Sequence, residues 1–202
     1  MNTRFMGDAA LLVETRDAAE AQTLRRTLSC QLIPGLRELV PGQASLLIVV
    51  DPLLTNLETL ATNLPALGGD GVPAKPRQHE FLVDYSGEDL ASVAKLSGME
   101  AAEVVRRHAA VTYEVAFLGF APGFAYLTGL DPALRLPRRN EPRLRVPAGS
   151  VAMADGFTGI YPQVSPGGWH ILGHCTVTLF DAASPEPALL TPGDRVQFKV
   201  AP

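Results

Sequence analysis

Phe117-Leu118-Gly119-Phe120-Ala121-Pro122-Gly123-Phe124-Ala125-Tyr126-Leu127 decides how the rest of the chain is read. Four aromatic residues are interleaved there with glycine and proline, a density that no helix interior tolerates. Pro122-Gly123 fits a type II turn, which wants proline second and glycine third. The same punctuation continues outward to the last residue. From Gly119 onward lie 10 of the 18 glycines and 11 of the 17 prolines. Between them are short β-prone runs at residues 150–153, 157–161, 169–172, 175–180 and 195–200. Many short strands with frequent turn signals argue for a barrel or a sandwich.

Upstream the pattern changes. Residues 79–85 read as a strand, 90–96 and 101–108 as short amphipathic helices broken by Gly98, and 111–118 as a strand. Before these, residues 9–14 read as a strand and 17–30 as a helix. Asp17 is its cap, with Glu20 as the capping-box partner. Ala21, Leu24 and Leu28 share one face of it. Residues 36–40 and 45–50 form a hairpin about Pro41-Gly42-Gln43. Thr55-Asn56-Leu57-Glu58 is a second capping box, opening a helix that runs to Leu64. The order β-α-β-β-α predicts a small α+β domain over residues 1–75. Residues 68–76, with three glycines and two prolines, read as the linker. A mainly-β domain follows over residues 76–202.

Composition excludes several classes. The chain has 202 residues, 47% of them hydrophobic, enough to fill a core. A net charge of -4 and a pI near 5.6 argue against a nucleic-acid groove or an anionic-membrane patch. Cys30 and Cys175 are too few and too far apart for a disulfide scaffold or a zinc site, so no metal is expected. No apolar run approaches a membrane span, and the first residues do not resemble a signal peptide. A cytoplasmic location is expected. G-x-x-x-x-G-K-[ST], G-x-G-x-x-G after a strand, H-E-x-x-H and G-x-S-x-G are all absent.

The chemistry-bearing residues sit in turns. The aromatic loop is either a hydrophobic plug of a barrel end or a pocket wall that offers ring faces and backbone N–H groups. In Val146-Pro147-Ala148-Gly149-Ser150 the last two residues offer backbone donors and a hydroxyl, or simply start a strand. Thr158-Gly159-Ile160-Tyr161-Pro162 is followed by Ser165-Pro166-Gly167-Gly168-Trp169. Trp169 is a buried plug or a stacking platform. Gly167-Gly168 allows close approach of a strand or a ligand. His108, five residues before Tyr113, either complements a helix C-terminus or acts as a general base. His79, His170 and His174 lack metal spacing. Arg135, Arg138, Arg139, Arg143 and Arg145 are opposed only by Glu141 and interrupted by Pro137 and Pro142. They form a solvated loop or an anion site.

The series His108, Tyr113, Gly119 to Leu127, Pro137-Arg138-Arg139, Val146 to Ser150, Thr158 to Pro162 and Ser165 to Trp169 resembles the family of 5-oxoprolinase B subunits. That family is also called allophanate hydrolase subunit 1-like and includes the sporulation-kinase inhibitor KipI. Gly7-Asp8-Ala9-Ala10-Leu11-Leu12-Val13 and Pro192-Gly193-Asp194-Arg195-Val196 extend the resemblance over nearly the whole chain. The sequence departs from the family at His174, where arginine is usual, and at Asp155-Gly156-Phe157, where Gly-Gly-Gln is common.

The resemblance implies an α+β N-terminal domain followed by a cyclophilin-like β-barrel. It implies one component, inactive alone, of an ATP-hydrolysing 5-oxoprolinase. Its partners would be the homologous C subunit and the A subunit of that enzyme, its substrate 5-oxoproline, and its cofactor ATP with Mg as counter-ion. The B and C subunits would activate the lactam, by phosphorylation, for ring opening to glutamate. His108 and Tyr113 would be catalytic. Phe120, Pro122, Gly123, Phe124, Tyr126, Arg138, Arg139, Pro147, Gly149, Ser150, Thr158, Tyr161, Ser165, Gly167, Gly168 and Trp169 would line the substrate and nucleotide pocket. The arginine segment would form its rim or meet the C subunit. The resemblance leaves two other roles open: an inhibitor of a sensor histidine kinase, and a carboxyltransferase-type component of an allophanate or urea pathway.

Overall fold

The computed structural model describes residues 2–67 and 75–202, so most of the expected linker lies outside the described residues. The backbone divides into two compact units, Met1–Lys75 and Pro76–Pro202.

The first unit runs β1 (Thr3–Phe5), β2 (Ala10–Glu14), α1 (Ala18–Ser29), β3 (Leu36–Pro41), β4 (Ser45–Val50) and α2 (Leu57–Asn63), ending in a 3₁₀ turn at Leu64–Ala66. Its sheet is antiparallel in the order β1-β2-β4-β3. Leu11 and Val13 of β2 and Leu46 and Ile48 of β4 alternate inward and meet Leu28, Leu57 and Leu60 from the helices. The Asp17 side chain caps α1 by accepting from the Glu20 N–H at 2.8 Å, as expected. The second cap is shifted. Asn56, not Thr55, accepts from the Thr59 N–H at 2.9 Å, while the Thr55 hydroxyl donates to the Pro34 carbonyl. β1 was not expected, because three residues carry no readable alternation.

The second unit runs β5 (Gln78–Val83), α3 (Leu90–Ser97), α4 (Ala101–Ala109), β6 (Thr112–Leu118), β7 (Ala125–Thr128), a 3₁₀ turn at Pro132–Leu134, β8 (Arg143–Val146), β9 (Ser150–Ala154), β10 (Phe157–Ile160), β11 (Ser165–Gly167), β12 (His170–His174) and β13 (Arg195–Val200). Seven strands form one sheet in the order β12-β9-β10-β7-β6-β13-β5, and β8 pairs with β11 in a separate ribbon. Every pair is antiparallel except β13 with β5.

The seven-stranded sheet curls until its ends meet. Asp84 and His174 exchange two backbone hydrogen bonds of 2.9 and 2.8 Å, and the Gly87 N–H donates to the Leu172 carbonyl at 3.0 Å. Glycine is required at this seam, since a Cβ at Gly173 would stand 2.3 Å from the Asp84 carbonyl oxygen. The result is a nearly closed β-barrel, which resolves the choice between barrel and sandwich.

Val83, Tyr113, Val115, Leu127, Val151, Met153, Leu172, Val196 and Phe198 pack together with Val93 of α3 and Val104 of α4. Residues 175–180 form no strand, contrary to expectation. The Cys175 N–H instead bonds the Gly149 carbonyl at 2.9 Å, and Phe180 makes a single bridge to Ala188. β7, β8 and β11 are strands that the sequence reading passed over.

Candidate functional site

Two groups of expected site residues separate cleanly. His108 and Tyr113 lie in the barrel core, both fully buried. The Thr158 hydroxyl donates to the Ala152 carbonyl at 3.0 Å, so its oxygen is left to accept from His108 Nε2 at 2.8 Å. The Tyr85 hydroxyl then donates to Nδ1 at 2.8 Å. Burial pushes the His108 imidazole down to about 3, so the ring is neutral. It stacks on Phe198 with centroids 4.9 Å apart. The Tyr113 hydroxyl donates to the His108 carbonyl at 2.8 Å, and burial raises its pKa. A histidine with both ring nitrogens engaged inside a core has no lone pair free to take a proton from a ligand. His108, Tyr113 and Thr158 therefore hold α4 on the barrel.

The second group forms an aromatic cluster. Residues alternate along β9, with Val151 and Met153 in the core above and Ala152 and Ala154 in this cluster. Phe124, Tyr161 and Trp169 are buried here, and Tyr126 is half-buried. Phe124 meets Tyr126, Tyr161 and Trp169 edge-on at 5.1, 5.4 and 5.4 Å between centroids. Trp169 is thus a plug. The Tyr161 hydroxyl explains Gly167, because a Cβ there would stand 2.2 Å from it. That close approach serves a side chain of the same unit. Burial raises the Tyr161 pKa, against a hydrogen bond from the Trp169 backbone.

The aromatic loop is a turn, as expected. The Phe124 N–H bonds the Ala121 carbonyl at 3.0 Å, and Gly123 sits at φ 79°. Phe120 is held at φ 70°, where side chains are strained, and 58% of it is exposed over Phe124 and Tyr161. With the exposed Pro122 it is the accessible part of the loop.

The expected backbone donors are engaged. The Gly149 N–H bonds the Tyr161 carbonyl at 2.7 Å, and the Ser150 N–H bonds the Pro147 carbonyl at 3.3 Å. Ser150 is buried and Pro147 exposed. His174, the departure from the family pattern, places Nε2 3.0 Å from the Ala148 carbonyl and braces this turn. Asp155-Gly156 is a two-residue hairpin turn with both φ angles positive, 54° and 88°.

Three arginines of the segment, Arg138, Arg139 and Arg143, are paired with carboxylates from outside it. Arg138 donates to Asp155 at 2.9 Å. Asp89, a residue that the sequence reading missed, is the hub for Arg139 and Arg143. It is buried and accepts from Arg143 at 2.8 and 2.9 Å, from Arg139, and from the Ile171 N–H at 2.8 Å. Burial pushes Asp89 up, but the Arg143 and Ile171 hydrogen bonds and the charges of Arg143 and Arg139 together hold it below the ordinary carboxylate value. The only hint of this hub in the sequence is Glu88-Asp89 just ahead of a helical pattern. Glu88 adds a contact to Arg143 at 3.1 Å. With these partners the segment offers an anion far less charge than five arginines suggest. Ser165 and Gly168 lie beside it, the Gly168 carbonyl accepting from the Arg139 N–H at 2.8 Å.

Among the described residues no group of three or more His, Cys, Asp or Glu is placed to hold a metal ion. No helix of the described residues is long and apolar enough to cross a membrane. A cavity of about 350 Å³ lined by Glu14, Thr15, Arg16, Glu20 and Leu24 lies in the first unit and contains none of the expected site residues.

The class of protein follows from comparison. The family described as carboxyltransferase domain, subdomain C and D matches residues 1–190. The K. lactis urea amidolyase structure shares the fold, with a TM-score of 0.71 at 21% identity over 98% of this chain and 15% of that one. More specifically, the chain is 39% identical over 203 residues to the 5-oxoprolinase B subunit of Escherichia coli O157:H7, covering 96% of this chain and 93% of that protein. The chain belongs to the 5-oxoprolinase B-subunit family of carboxyltransferase-domain proteins. It is also similar to TTHA0988, with 38% identity and a TM-score of 0.78. That match covers 96% of this chain but spans only 39% of the TTHA0988 chain.

Proposed function

We propose that this chain is the B subunit of an ATP-dependent 5-oxoprolinase. It would act with the C subunit to activate 5-oxoproline and with the A subunit to open the ring to glutamate. The observation that carries this reading is the match to the Escherichia coli protein along almost the full length of both chains. The chemistry is consistent with it. A lactam carbonyl is a poor electrophile, and phosphorylating its oxygen creates a leaving group.

The exposed parts of the aromatic cluster, Phe120 and Pro122, are the ligand-facing wall in this reading, with Phe124, Tyr126, Tyr161 and Trp169 as their rigid backing. Arg139, fixed by Asp89, would be a charged member of the site. Three of the five arginines are paired with carboxylates, so this chain by itself offers the triphosphate of ATP little free charge there. The other subunits would complete the nucleotide site and hold its Mg. The isolated chain would then be inactive as an ATPase.

The test is co-expression with a candidate C subunit, size-exclusion chromatography, and ATP hydrolysis with and without 5-oxoproline. A co-eluting complex with 5-oxoproline-stimulated hydrolysis is expected. Separate elution with no stimulation would sink the assignment.

A further inference from the structure

The barrel is sealed along only part of its seam. Residues 84–89 make the seal against β12, from the Asp84–His174 pair onward. On the other side of that pair two rows continue, β5 and residues 175–179. Cys175, Val177 and Leu179 pack into the core while Thr176 and Thr178 are exposed, the alternation of an extended chain. A strand bonds through the N–H and C=O of alternate residues on each side. The Arg77 and Val83 carbonyls accept from the Arg195 and Ala201 N–H groups at 2.8 Å, so the odd residues serve β13. Gln78, Glu80 and Leu82 therefore turn the other way, to the side on which Asp84 meets His174. In the opposite row the odd residues are committed too. The Cys175 N–H bonds the Gly149 carbonyl and the Leu189 N–H bonds the Leu179 carbonyl, both at 2.9 Å.

Among the described residues, the backbone groups of Gln78, Glu80 and Leu82 have no protein partner, and neither do those of Thr176 and Thr178. All five residues are exposed. β5 is six residues long, contains no proline and pairs with β13 without a bulge, so its outer edge is a regular template for another strand. Its charge selects the partner. Residues 78–84 and 174–186 carry Glu80, Asp84, Asp181 and Glu186 and no lysine or arginine. Arg77 takes Glu186 at 3.2 Å, and Lys199 lies 3.8 Å from Glu80, whose side chain is still 67% exposed. Asp84 has no cation partner among the described residues. Leu82, beside Glu80 on the outward face, is 62% exposed. A second copy laid antiparallel about Glu80 would set Glu80 against Glu80, and like charges directly opposite are unfavourable.

We propose that, independently of the oxoprolinase assignment, the outer edge of β5 takes an extended basic segment of a partner polypeptide as an added strand. The segment runs antiparallel to β5, the direction that His174 already takes against Asp84. Its backbone bonds Gln78, Glu80 and Leu82. It sets a lysine or arginine opposite Glu80 and an apolar side chain opposite Leu82. The backbone pairs supply affinity for any extended chain, and the acidic surround favours a basic one.

The experiment is amide hydrogen exchange, read by NMR on the full chain, with a capped Lys-Leu-Val-Lys-Val-Thr peptide as the probe. Glu-Leu-Val-Glu-Val-Thr is the acidic control. A third peptide repeats the basic sequence with N-methyl groups on Leu and the second Lys, the nitrogens that would face β5. In the free chain the Gln78, Glu80 and Leu82 amides are expected to exchange readily while those of His79 and Phe81 are protected. The basic peptide is expected to slow the first three about tenfold or more, and the N-methylated one to leave them unchanged. Glu80→Lys, a change on an exposed side chain, is expected to reverse the preference between the basic and acidic peptides. No slowing at about 1 mM basic peptide overturns the proposal. So does slowing that survives N-methylation, or equal slowing by the acidic peptide. Protection of the three amides in the dilute free chain would show the edge already covered by the chain itself. Protection that grows with chain concentration alone would show a second copy there. Either result also overturns it.

Discussion

His108 Nε2 stands 2.8 Å from Thr158 Oγ1 in the barrel core, and the Thr158 hydroxyl is already donating to Ala152. The contact fixes which nitrogen carries the proton and makes His108 a structural bolt between α4 and β10. His108→Ala should leave the Tyr85 hydroxyl and the Thr158 oxygen without their partner and open a cavity. The expected cost is about 3 kcal/mol, read from urea unfolding midpoints. A variant as stable as the parent would overturn this role.

The same bond network predicts acid sensitivity. The folded pKa of His108 is depressed to about 3 from an ordinary 6.5. The unfolded chain therefore binds the proton first as pH falls. Stability is complete above pH 6.5 and declines between pH 6.5 and about 3, at up to about 1.4 kcal/mol per pH unit. His108→Gln should flatten the part of that slope that lies above about pH 5, where carboxylates do not yet titrate. An unchanged slope in the variant would show that other groups cause it.

Asp89 is expected to matter more than its place in a loop before α3 suggests. Asp89→Asn keeps the shape but removes the charge that faces Arg139 and Arg143. Breaking a buried ion pair in this way costs about 3 kcal/mol. The folded pKa of Asp89 is lowered, so its contribution is present above about pH 4 and is lost as pH falls further. Thermal unfolding at about pH 7 and about pH 3 should show a large gap between parent and variant at the higher pH and a smaller one at the lower.

Two glycines at positive φ give a paired test of backbone strain. Gly7 (φ 70°) has nothing within 4 Å of an added Cβ, so Gly7→Ala should cost only about 1 kcal/mol for conformation. At Gly123 (φ 79°) the Cβ would stand 2.8 Å from the Phe180 Cβ and 2.9 Å from the Leu179 carbonyl oxygen. Gly123→Ala should cost at least about 1–2 kcal/mol more. Equal melting temperatures for the two variants would contradict this packing.

Phe120 separates stability from function. Its ring is mostly exposed and its backbone is strained, so Phe120→Gly should hold or raise stability by up to about 1 kcal/mol. If Phe120 is a ligand wall, the same variant should lower 5-oxoproline turnover in the assembled complex several-fold. Turnover at the parental level would remove it from the site.

Much of the architecture was readable because local signals and tertiary packing agree. Asp17 caps the helix that its spacing announces, and Gly98 breaks the helical pattern as expected, ending α3 in the left-handed conformation. The 175–180 run misled because β-propensity cannot register that the Cys175 N–H is already bonded to Gly149. The aromatic motifs were found together because each carries its own turn chemistry. Which of their residues reach solvent was not readable, since exposure depends on partners distant in sequence. Asp89 was missed for the same reason: its partners lie 50, 54 and 82 residues away.

The seam at Asp84 and His174 has a consequence for how this chain meets others. Residues 84–89 run along β12, so that strand offers no bare row of N–H and C=O groups for a foreign strand to join. In the other unit the outermost strands are β1 and β3. β1 has only three residues, and β3 carries a register shift, Arg37, Glu38 and a terminal Pro41. Such features discourage edge-to-edge association. At β12, β1 and β3, contact with another chain is thereby steered toward side-chain surfaces and away from strand pairing.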